Sequence, residues 1–287
     1  MRVSGVCAAA LLGGLLLAGC GAREGPRIHA VEGPPEAFPA PAYRQALRAG
    51  KRVYRVDPCL SRVTIRVSAG GPLAELGHNH VVSTRELHGY VLDPAAGGSG
   101  RTDIYVPVTA LEVDKPRLVE EAGFDTELSE QEKAQTRYNM LAEVLEAHKY
   151  PYVRIHATPA PDSPTPPEAL TVDLTIHGET QTRRVPVRMR RTEDWLEVRG
   201  RLSVRHEDFG MEPFTALAGQ LRVKEELDLR FLVHATVVER WNGAGAGSVL
   251  EGGARRCTVG GVVETVPAWP EGTAGAAPGS IEGGQPQ

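Results

Sequence analysis

The residue types best suited to chemistry in this sequence are the paired imidazoles of His78 and His80, which flank Asn79. Residues two apart in a strand point to one face, so both rings are expected on the same side. Three interpretations stay open: the rings bond backbone groups at a turn, bind the polar head of a ligand, or hold a metal with a third ligand such as His88 or His206. Because zinc needs three or four ligands and no third one can be named, we assign no metal site.

Enzymatic and nucleic-acid functions are disfavoured by motif and charge. The His-Asn-His spelling is that of HNH nucleases, but Val81 and Val82 lead into more strand, whereas such a nuclease needs a hairpin and a helix. The net charge is −4 and the pI is near 6.2, which argues against a nucleic-acid partner. The sequence contains no nucleophile elbow, Walker loop, dinucleotide fingerprint or zinc-protease helix. We therefore expect a binding protein and no enzyme.

A second chemical feature is a set of arginines that alternate with apolar residues along two neighbouring segments. If these segments pair through a turn at residues 192–194, all the arginines share one outward face. Such a face is either a solvated surface or a docking patch for an anionic membrane surface or partner. Each charge contributes about 1 kcal/mol near an anionic membrane. The residues are Arg184, Arg188, Arg190, Arg199, Arg201 and Arg205.

The N-terminus indicates export. An apolar stretch at residues 6–18 follows Arg2, is too short to span a bilayer, and has the length of a signal-peptide core. It ends in Leu-Ala-Gly-Cys, which resembles the bacterial lipobox, in which the cysteine becomes the acylated first residue. We predict a lipoprotein signal peptide over 1–19 and lipid attachment at Cys20, with several acyl chains giving a stable anchor. Gly21 rather than Asp follows, which favours the outer membrane, facing the periplasm.

The rest of the chain divides by composition. Residues 20–52 are rich in Pro and Gly and predict a tether, and residues 241–287 predict a mostly disordered tail. The folded domain is expected over 53–240. Once the signal peptide is removed and Cys20 is acylated, Cys59 and Cys257 remain, and an oxidising compartment favours a disulfide between them. Free buried thiols or pairing with a partner protein are the alternatives.

Within the folded domain the dominant period is two, with one face apolar and the other polar. This alternation is typical of antiparallel strands, and strands this numerous indicate an all-β barrel or sandwich. A sheet lined by Val, Leu and Ile rather than aromatics could enclose a cavity. The clearest runs are Val63/Ile65/Val67, Ile104/Val106/Val108, Val172/Leu174/Ile176, Val185/Val187/Met189 and Leu227/Leu229/Phe231/Val233.

One segment has helical spacing instead. Ser129 and Glu132 form a capping-box pattern, and Pro151 stops the helix before the next strand. We predict one amphipathic helix at about 130–148 that covers an open end or seam of the sheet. His148 lies on its apolar stripe and is expected to be a core histidine. The stripe consists of Ala134, Tyr138, Leu141, Leu145 and His148.

An ordered set of motifs in this domain resembles the YceI-like family over residues 53–240. The chain shows a Gly-His-Asn-His variant of one motif and a long insertion at 118–136. The motifs, in chain order, are Val53-Tyr54-Arg55-Val56-Asp57, Leu76-Gly77-His78-Asn79-His80, Leu87-His88-Gly89, Ala147-His148-Lys149-Tyr150-Pro151, Leu174-Thr175-Ile176-His177-Gly178 and His206-Glu207-Asp208-Phe209-Gly210.

The resemblance implies an extended, antiparallel, lipocalin-like β-barrel that binds a long amphiphile, such as a polyisoprenoid, an isoprenoid quinone or a fatty amide. The expected function is that of a lipid-anchored binding protein that holds or carries this hydrophobic small molecule, with His78, Asn79 and His80 at its polar head. No other cofactor is expected, and the oligomeric state is not indicated. The alternative is a metal-binding or metallo-hydrolytic protein that uses His78 and His80.

Overall fold

The computed structural model describes residues 27–93 and 100–239. In these ranges the chain forms fourteen strands and three α-helices, α1 Ala40–Arg48, α2 Pro116–Glu121 and α3 Glu130–Asn139. The strands are β1 Val53–Val56, β2 Arg62–Val67, β3 Ala69–Gly70, β4 His80–Thr84, β5 His88–Leu92, β6 Arg101–Pro107, β7 Glu112–Val113, β8 Tyr152–Pro159, β9 Ala169–Ile176, β10 Glu179–Arg191, β11 Trp195–Arg205, β12 Thr215–Ala216, β13 Leu221–Val223 and β14 Glu226–Val237.

The main sheet is an antiparallel barrel. Its strands follow the order β1-β5-β6-β8-β9-β10-β11-β14, and β1 pairs again with β14, which closes eight strands into a ring. The long β14 also pairs with β2 through its first half, and β4 and β7 extend that branch. The antiparallel barrel predicted from the alternating pattern is confirmed. Its strands alternate as the sequence requires: Val185 and Val187 are buried, while Arg184 and Arg188 are exposed.

The predicted helix is present but ends earlier than expected. Ser129 caps α3 through a capping box with Glu132, and the helix then continues as a π-helical turn, Met140–Val144. The backbone leaves the helix at Glu146, whose φ is +41°. Because the helix does not extend to 148, His148 falls on an exposed turn, and its predicted place in the core is wrong.

The predicted tether contains a folded element. Residues 40–48 form α1, with a proline in its first turn, where the missing N–H is harmless. Tyr43 of α1 is buried against Val53 and Tyr90 on the outside of the barrel. Part of the predicted tether therefore packs against the barrel, because Tyr43 offers apolar surface that composition alone does not reveal.

No helix in the described part of the chain is long and apolar enough to cross a membrane. The predicted signal peptide, the acylated Cys20 and the predicted tail with Cys257 all lie outside the described residues. Cys59 is disulfide-bonded, and its pairing with Cys257 stays a prediction.

Candidate functional site: the barrel cavity

The barrel encloses a cavity of about 380 Å³. Aliphatic side chains from nearly every barrel strand line it, and many of them belong to the apolar runs that the sequence pattern identified. Gly200 lies in this wall opposite Phe231, whose ring occupies the space that a Cβ would need. Typical wall residues are Val63, Ile65, Val91, Ile104, Ile155, Leu174, Val198, Leu229 and Val233.

A few polar side chains interrupt the aliphatic wall. Thr84, paired with Val63, lies between the two ends of the cavity, and the others fall at its ends. One end lies beneath α3 and the π-helical turn and is called the helix end; its polar residues are Thr136, Asn139, His80 and His206. The opposite end carries Arg101, Thr102 and Thr158. An apolar body with polar groups at its ends is the arrangement that suits an amphiphilic small molecule.

His80 is fixed at the helix end by a buried carboxylate. Its Nδ1 lies 2.7 Å from Oδ2 of Asp114, whose side chain is 1% exposed. Oδ1 of the same carboxylate accepts the backbone N–H of Val81 at 2.8 Å. Both carboxylate oxygens are thus engaged, which holds the His80 ring in one orientation with Nε2 as its remaining polar atom.

His206 is fixed in a similar way at the same end. Its side chain is buried and lines the cavity, and its Nδ1 lies 2.9 Å from the backbone carbonyl oxygen of Glu225. A carbonyl oxygen can only accept, so Nδ1 of His206 must carry the proton. Nε2 is again the nitrogen left to meet a ligand.

A bridge of side chains joins the helical region to the turn that carries His206. Nε2 of His177 lies 2.7 Å from Oε2 of Glu146, just after the π-helical turn. Nδ1 of the same ring lies 3.2 Å from the carbonyl oxygen of Phe209, which is buried three residues after His206. His177 itself occupies the two-residue turn between β9 and β10. The bridge brings three separate segments together at the helix end.

At the opposite end, a polar cluster of Asp103, Tyr43, Arg101 and His156 lies mostly on the outer wall of the barrel and binds α1 to it. Asp103 accepts hydrogen bonds from the Tyr43 hydroxyl at 2.6 Å and Nε of Arg101 at 2.6 Å, and Nδ1 of His156 lies 2.9 Å away. Burial disfavours the carboxylate, but these three donors outweigh that cost and hold the pKa of Asp103 below its ordinary value. Burial and the adjacent carboxylate raise the pKa of Tyr43.

The structure separates the three residues that the sequence singled out. His80 is the first residue of β4 and lines the cavity, whereas His78 precedes the strand and is exposed. The sequence analysis expected both rings on one face of a strand, but His78 is not part of the strand. Their ring centroids lie 6.5 Å apart. Oδ1 of Asn79 accepts the backbone N–H of Ala69 at 3.1 Å.

The metal interpretation finds no convergent ligand set in the described residues. In 27–93 and 100–239, no three His, Cys, Asp or Glu side chains are arranged to hold a metal ion. His88 bonds Oε2 of Glu86 at 3.0 Å and stacks on Tyr105. His206 bonds the backbone instead, so neither of the two suggested third ligands joins His78 and His80.

The six arginines do share the outer face of the β10–β11 hairpin. Arg188 lies directly opposite Arg199 in the register. Ion pairs on this face join Arg184 to Asp162, Arg199 to Glu197 at 2.9 Å, and Arg205 to Glu207 at 2.6 Å. These acids lower the net charge of the face, a compensation that the sequence pattern did not indicate.

Two residues of the cavity site escaped sequence analysis. Asp114 lies in a short connection after β7, at φ +51°, and no motif marks it. Asn139 lies at the last position of α3, and no pattern in the sequence indicated that its side chain reaches the cavity. His206 was suggested only as a metal ligand, although its position at the end of a strand was a signal that it could reach the barrel interior.

Comparison with known proteins agrees with this architecture. A family model described as YceI-like domain matches residues 54–235. No match is found among curated proteins.

Several solved structures are similar to the chain. Burkholderia cenocepacia BcnA has 17% sequence identity and a TM-score of 0.45, with 63% of this chain and 99% of that chain covered. A polyisoprenoid binding domain from Saccharophagus degradans has 11% identity and a TM-score of 0.45, covering 64% and 98% of the two chains. The Campylobacter jejuni YCEI protein has 13% identity and a TM-score of 0.35, covering 52% and 80%.

Proposed function

The chain belongs to the YceI-like domain family, and we propose that it is a lipid-anchored exported binding protein that holds or carries a long-chain isoprenoid, quinone or similar amphiphile in its barrel. We place it at the outer membrane, facing the periplasm. The role is binding without catalysis, since the side chains that reach the cavity are mostly aliphatic.

The observation that carries the proposal is the aliphatic wall of the cavity. Each methylene group buried against such a wall contributes about 0.8 kcal/mol, so a multi-isoprene chain supplies most of its own binding energy. The few polar side chains at the ends then orient the ligand rather than hold it. A hydrophilic metabolite of equal size would lose its hydration in this cavity and regain few hydrogen bonds.

The proposed anchor at Cys20 fits the way the following segment packs. Ile28 packs against the apolar cluster that includes Leu111 and Leu141 at the helix end. The eight residues from Cys20 to Ile28 span at most about 28 Å. An acylated Cys20 would therefore keep the helix end of the barrel close to the bilayer, where a lipid ligand is found.

The arginine face on the β10–β11 hairpin supports a weaker, electrostatic contact with an anionic membrane surface. Arg184, Arg188, Arg190, Arg201 and Arg205 are exposed. Because Asp162, Glu197 and Glu207 pair with arginines of this face, its contribution is expected to be small and salt-sensitive.

Blocking the cavity tests the proposal. Val233 of β14 faces the cavity, and the adjacent Leu232 does not line it. The full-length protein, Val233→Trp and the matched control Leu232→Trp are purified in mild detergent, and bound lipids are measured by native mass spectrometry and extraction. We expect an amphiphile in the wild type and in Leu232→Trp, and its loss from Val233→Trp.

Two outcomes would contradict the proposal: a wild-type protein that carries no amphiphile and takes up none from added isoprenoids, or a Val233→Trp variant that retains full occupancy. Circular dichroism of both tryptophan variants establishes that the barrel has folded.

A further inference from the structure

The polar side chains at the helix end of the cavity favour one kind of polar group on the ligand. Resting on the proposed function, we infer that the polar group of the bound amphiphile lies at the helix end against His80 and His206, and that it carries a hydrogen-bond donor. A long-chain alcohol, a hydroquinone or a primary amide meets this requirement. A quinone, an ester or an ether of the same chain does not.

The argument begins with His206, whose tautomer follows from its partner. The carbonyl oxygen of Glu225 lies 2.9 Å from Nδ1 and can only accept a proton donor. A neutral ring with its proton on Nδ1 has a lone pair on Nε2. His206 lines the cavity, so this lone pair is the polar feature it offers to a ligand. Such a nitrogen pairs with O–H or N–H groups and repels the lone pairs of a carbonyl or ether oxygen.

His80 offers the same feature from another part of the wall. Its Nδ1 faces the carboxylate of Asp114 at 2.7 Å, and that carboxylate also accepts the N–H of Val81. A carboxylate oxygen accepts a hydrogen bond, so Nδ1 is the donor, and a ring with its single proton on Nδ1 presents a lone pair at Nε2. Two independently fixed imidazoles thus present acceptors at one end of the cavity.

Another side chain that lines the cavity, Asn139, provides a hydrogen-bond donor. Oδ1 of Asn139 accepts a hydrogen bond from Nε2 of Gln135 at 2.7 Å. The amide nitrogen of Asn139, a residue that lines the cavity, keeps its two N–H donors. A hydroxyl group both donates and accepts, so it can bond either an imidazole lone pair or this amide, whereas an ether oxygen can bond only the amide.

The opposite end has no imidazole in the cavity wall, and the hydroxyls of Thr102 and Thr158 there can donate as well as accept. Arg101 lines the cavity there, but its Nε donates to Asp103 at 2.6 Å, and Nη2 lies 3.4 Å from the other oxygen of that carboxylate. The guanidinium charge is therefore matched within the protein. The helix end is where fixed hydrogen-bond acceptors face an otherwise aliphatic space.

The preference is tested with two probes that differ only in the donor, farnesol and farnesyl methyl ether. The delipidated full-length protein is given equal amounts of both, and the ratio of bound species is read by native mass spectrometry. One hydrogen bond has a modest net value, so we expect farnesol to bind about fivefold more tightly than the ether.

The variants remove Nε2 and retain the structural hydrogen bond. Asparagine can place an N–H where Nδ1 of histidine stood, so His206→Asn keeps a donor for the Glu225 carbonyl and His80→Asn keeps one for Asp114. We expect each variant to reduce the preference for farnesol, and the double variant to bring the ratio close to one. His156→Asn is the matched control, since His156 also bonds a carboxylate through Nδ1 but does not line the cavity.

The failure of this inference can be distinguished from failure of the proposed function. If the wild type binds neither probe, both are overturned. If it binds the two equally, or keeps its preference for farnesol in the double variant, the proposed function stands and the inference is wrong. Unfolding curves identify a variant that has lost its fold, and in that case the remaining single variant and the wild-type ratio decide.

Discussion

The carboxylate of Glu146 and the imidazole of His177 are joined at 2.7 Å, and both residues have left-handed backbone, with φ of +41° and +51°. His177 and Gly178 form a two-residue turn in which both φ angles are positive, between paired residues Ile176 and Glu179. This is the turn type that suits a tight hairpin. The turn between β9 and β10 is thus joined to the residues that follow the π-helical turn by one hydrogen bond between side chains.

Two substitutions at His177 distinguish the contribution of the turn to stability from that of the contact between His177 and Glu146. Asparagine tolerates the left-handed backbone, so His177→Asn removes the contact with Glu146 and leaves the turn intact. We expect a loss of about 1–2 kcal/mol in the free energy of unfolding for His177→Asn, and about 1 kcal/mol more for His177→Ala, which also strains the turn. Urea unfolding measures both. Equal losses in the two variants would contradict the strained-turn argument.

Asp114 is expected to act on both stability and ligand choice. Asp114→Asn preserves the left-handed conformation and the acceptor for the Val81 N–H, but it loses the charge that fixes Nδ1 of His80 as a donor. We expect the free energy of unfolding to fall by about 1–3 kcal/mol. His80 is then free to turn its proton to Nε2, so the preference for farnesol over its methyl ether should also weaken. A variant as stable as the wild type with an unchanged preference would show that Asp114 does not set the tautomer.

Asp103 makes stability depend on pH in the acid range. Its pKa is lower in the folded than in the unfolded state, so it stabilises the protein above its unfolded pKa. That contribution is lost as the pH falls through the folded pKa. We expect Asp103→Asn to be less stable than the wild type at neutral pH, and the difference to shrink progressively below the ordinary aspartate pKa of about 4.

The stability of Tyr43→Phe, compared with that of the wild type over the same pH range, provides the control for Asp103→Asn. This variant removes one donor to Asp103 and retains the aromatic packing of α1, so it should show a smaller difference at neutral pH with the same direction of change. Thermal unfolding across a pH series measures both. A stability difference for Asp103→Asn that stays constant from neutral to acid pH would contradict the assignment.

The anchoring prediction concerns Cys20. Without a thiol there is no site for acylation, so Cys20→Ala should move the protein from the membrane to the soluble fraction. Any residual sedimentation should come from the arginine face and disappear at high salt. Fractionation followed by immunoblotting measures this, with Cys7→Ala as the matched control. Sedimentation of Cys20→Ala that resists high salt would mean that the lipobox interpretation is wrong.

The sequence alone determined the class of fold, because a period of two is imposed by the strand itself. The inward positions Val185 and Val187 of β10, and Leu229 and Val233 of β14, follow from this alternation. The sequence also predicted the capping box at Ser129, because its two partners lie only three residues apart. The outward arginines followed from the same alternation.

The contacts between residues far apart in the sequence were decided by the tertiary structure, because a local pattern carries no information about them. The link from His80 to Asp114 spans 34 positions, and the link from Tyr43 to Asp103 spans 60. The ion pair between Arg184 and Asp162 likewise forms only because the fold places the segment after β8 next to β10. Such contacts arise only when the barrel closes and brings distant segments to one end. The sequence therefore determined which side chains face inward, and closure of the barrel decided that His80 and His206, rather than His78 and His80, share the cavity wall.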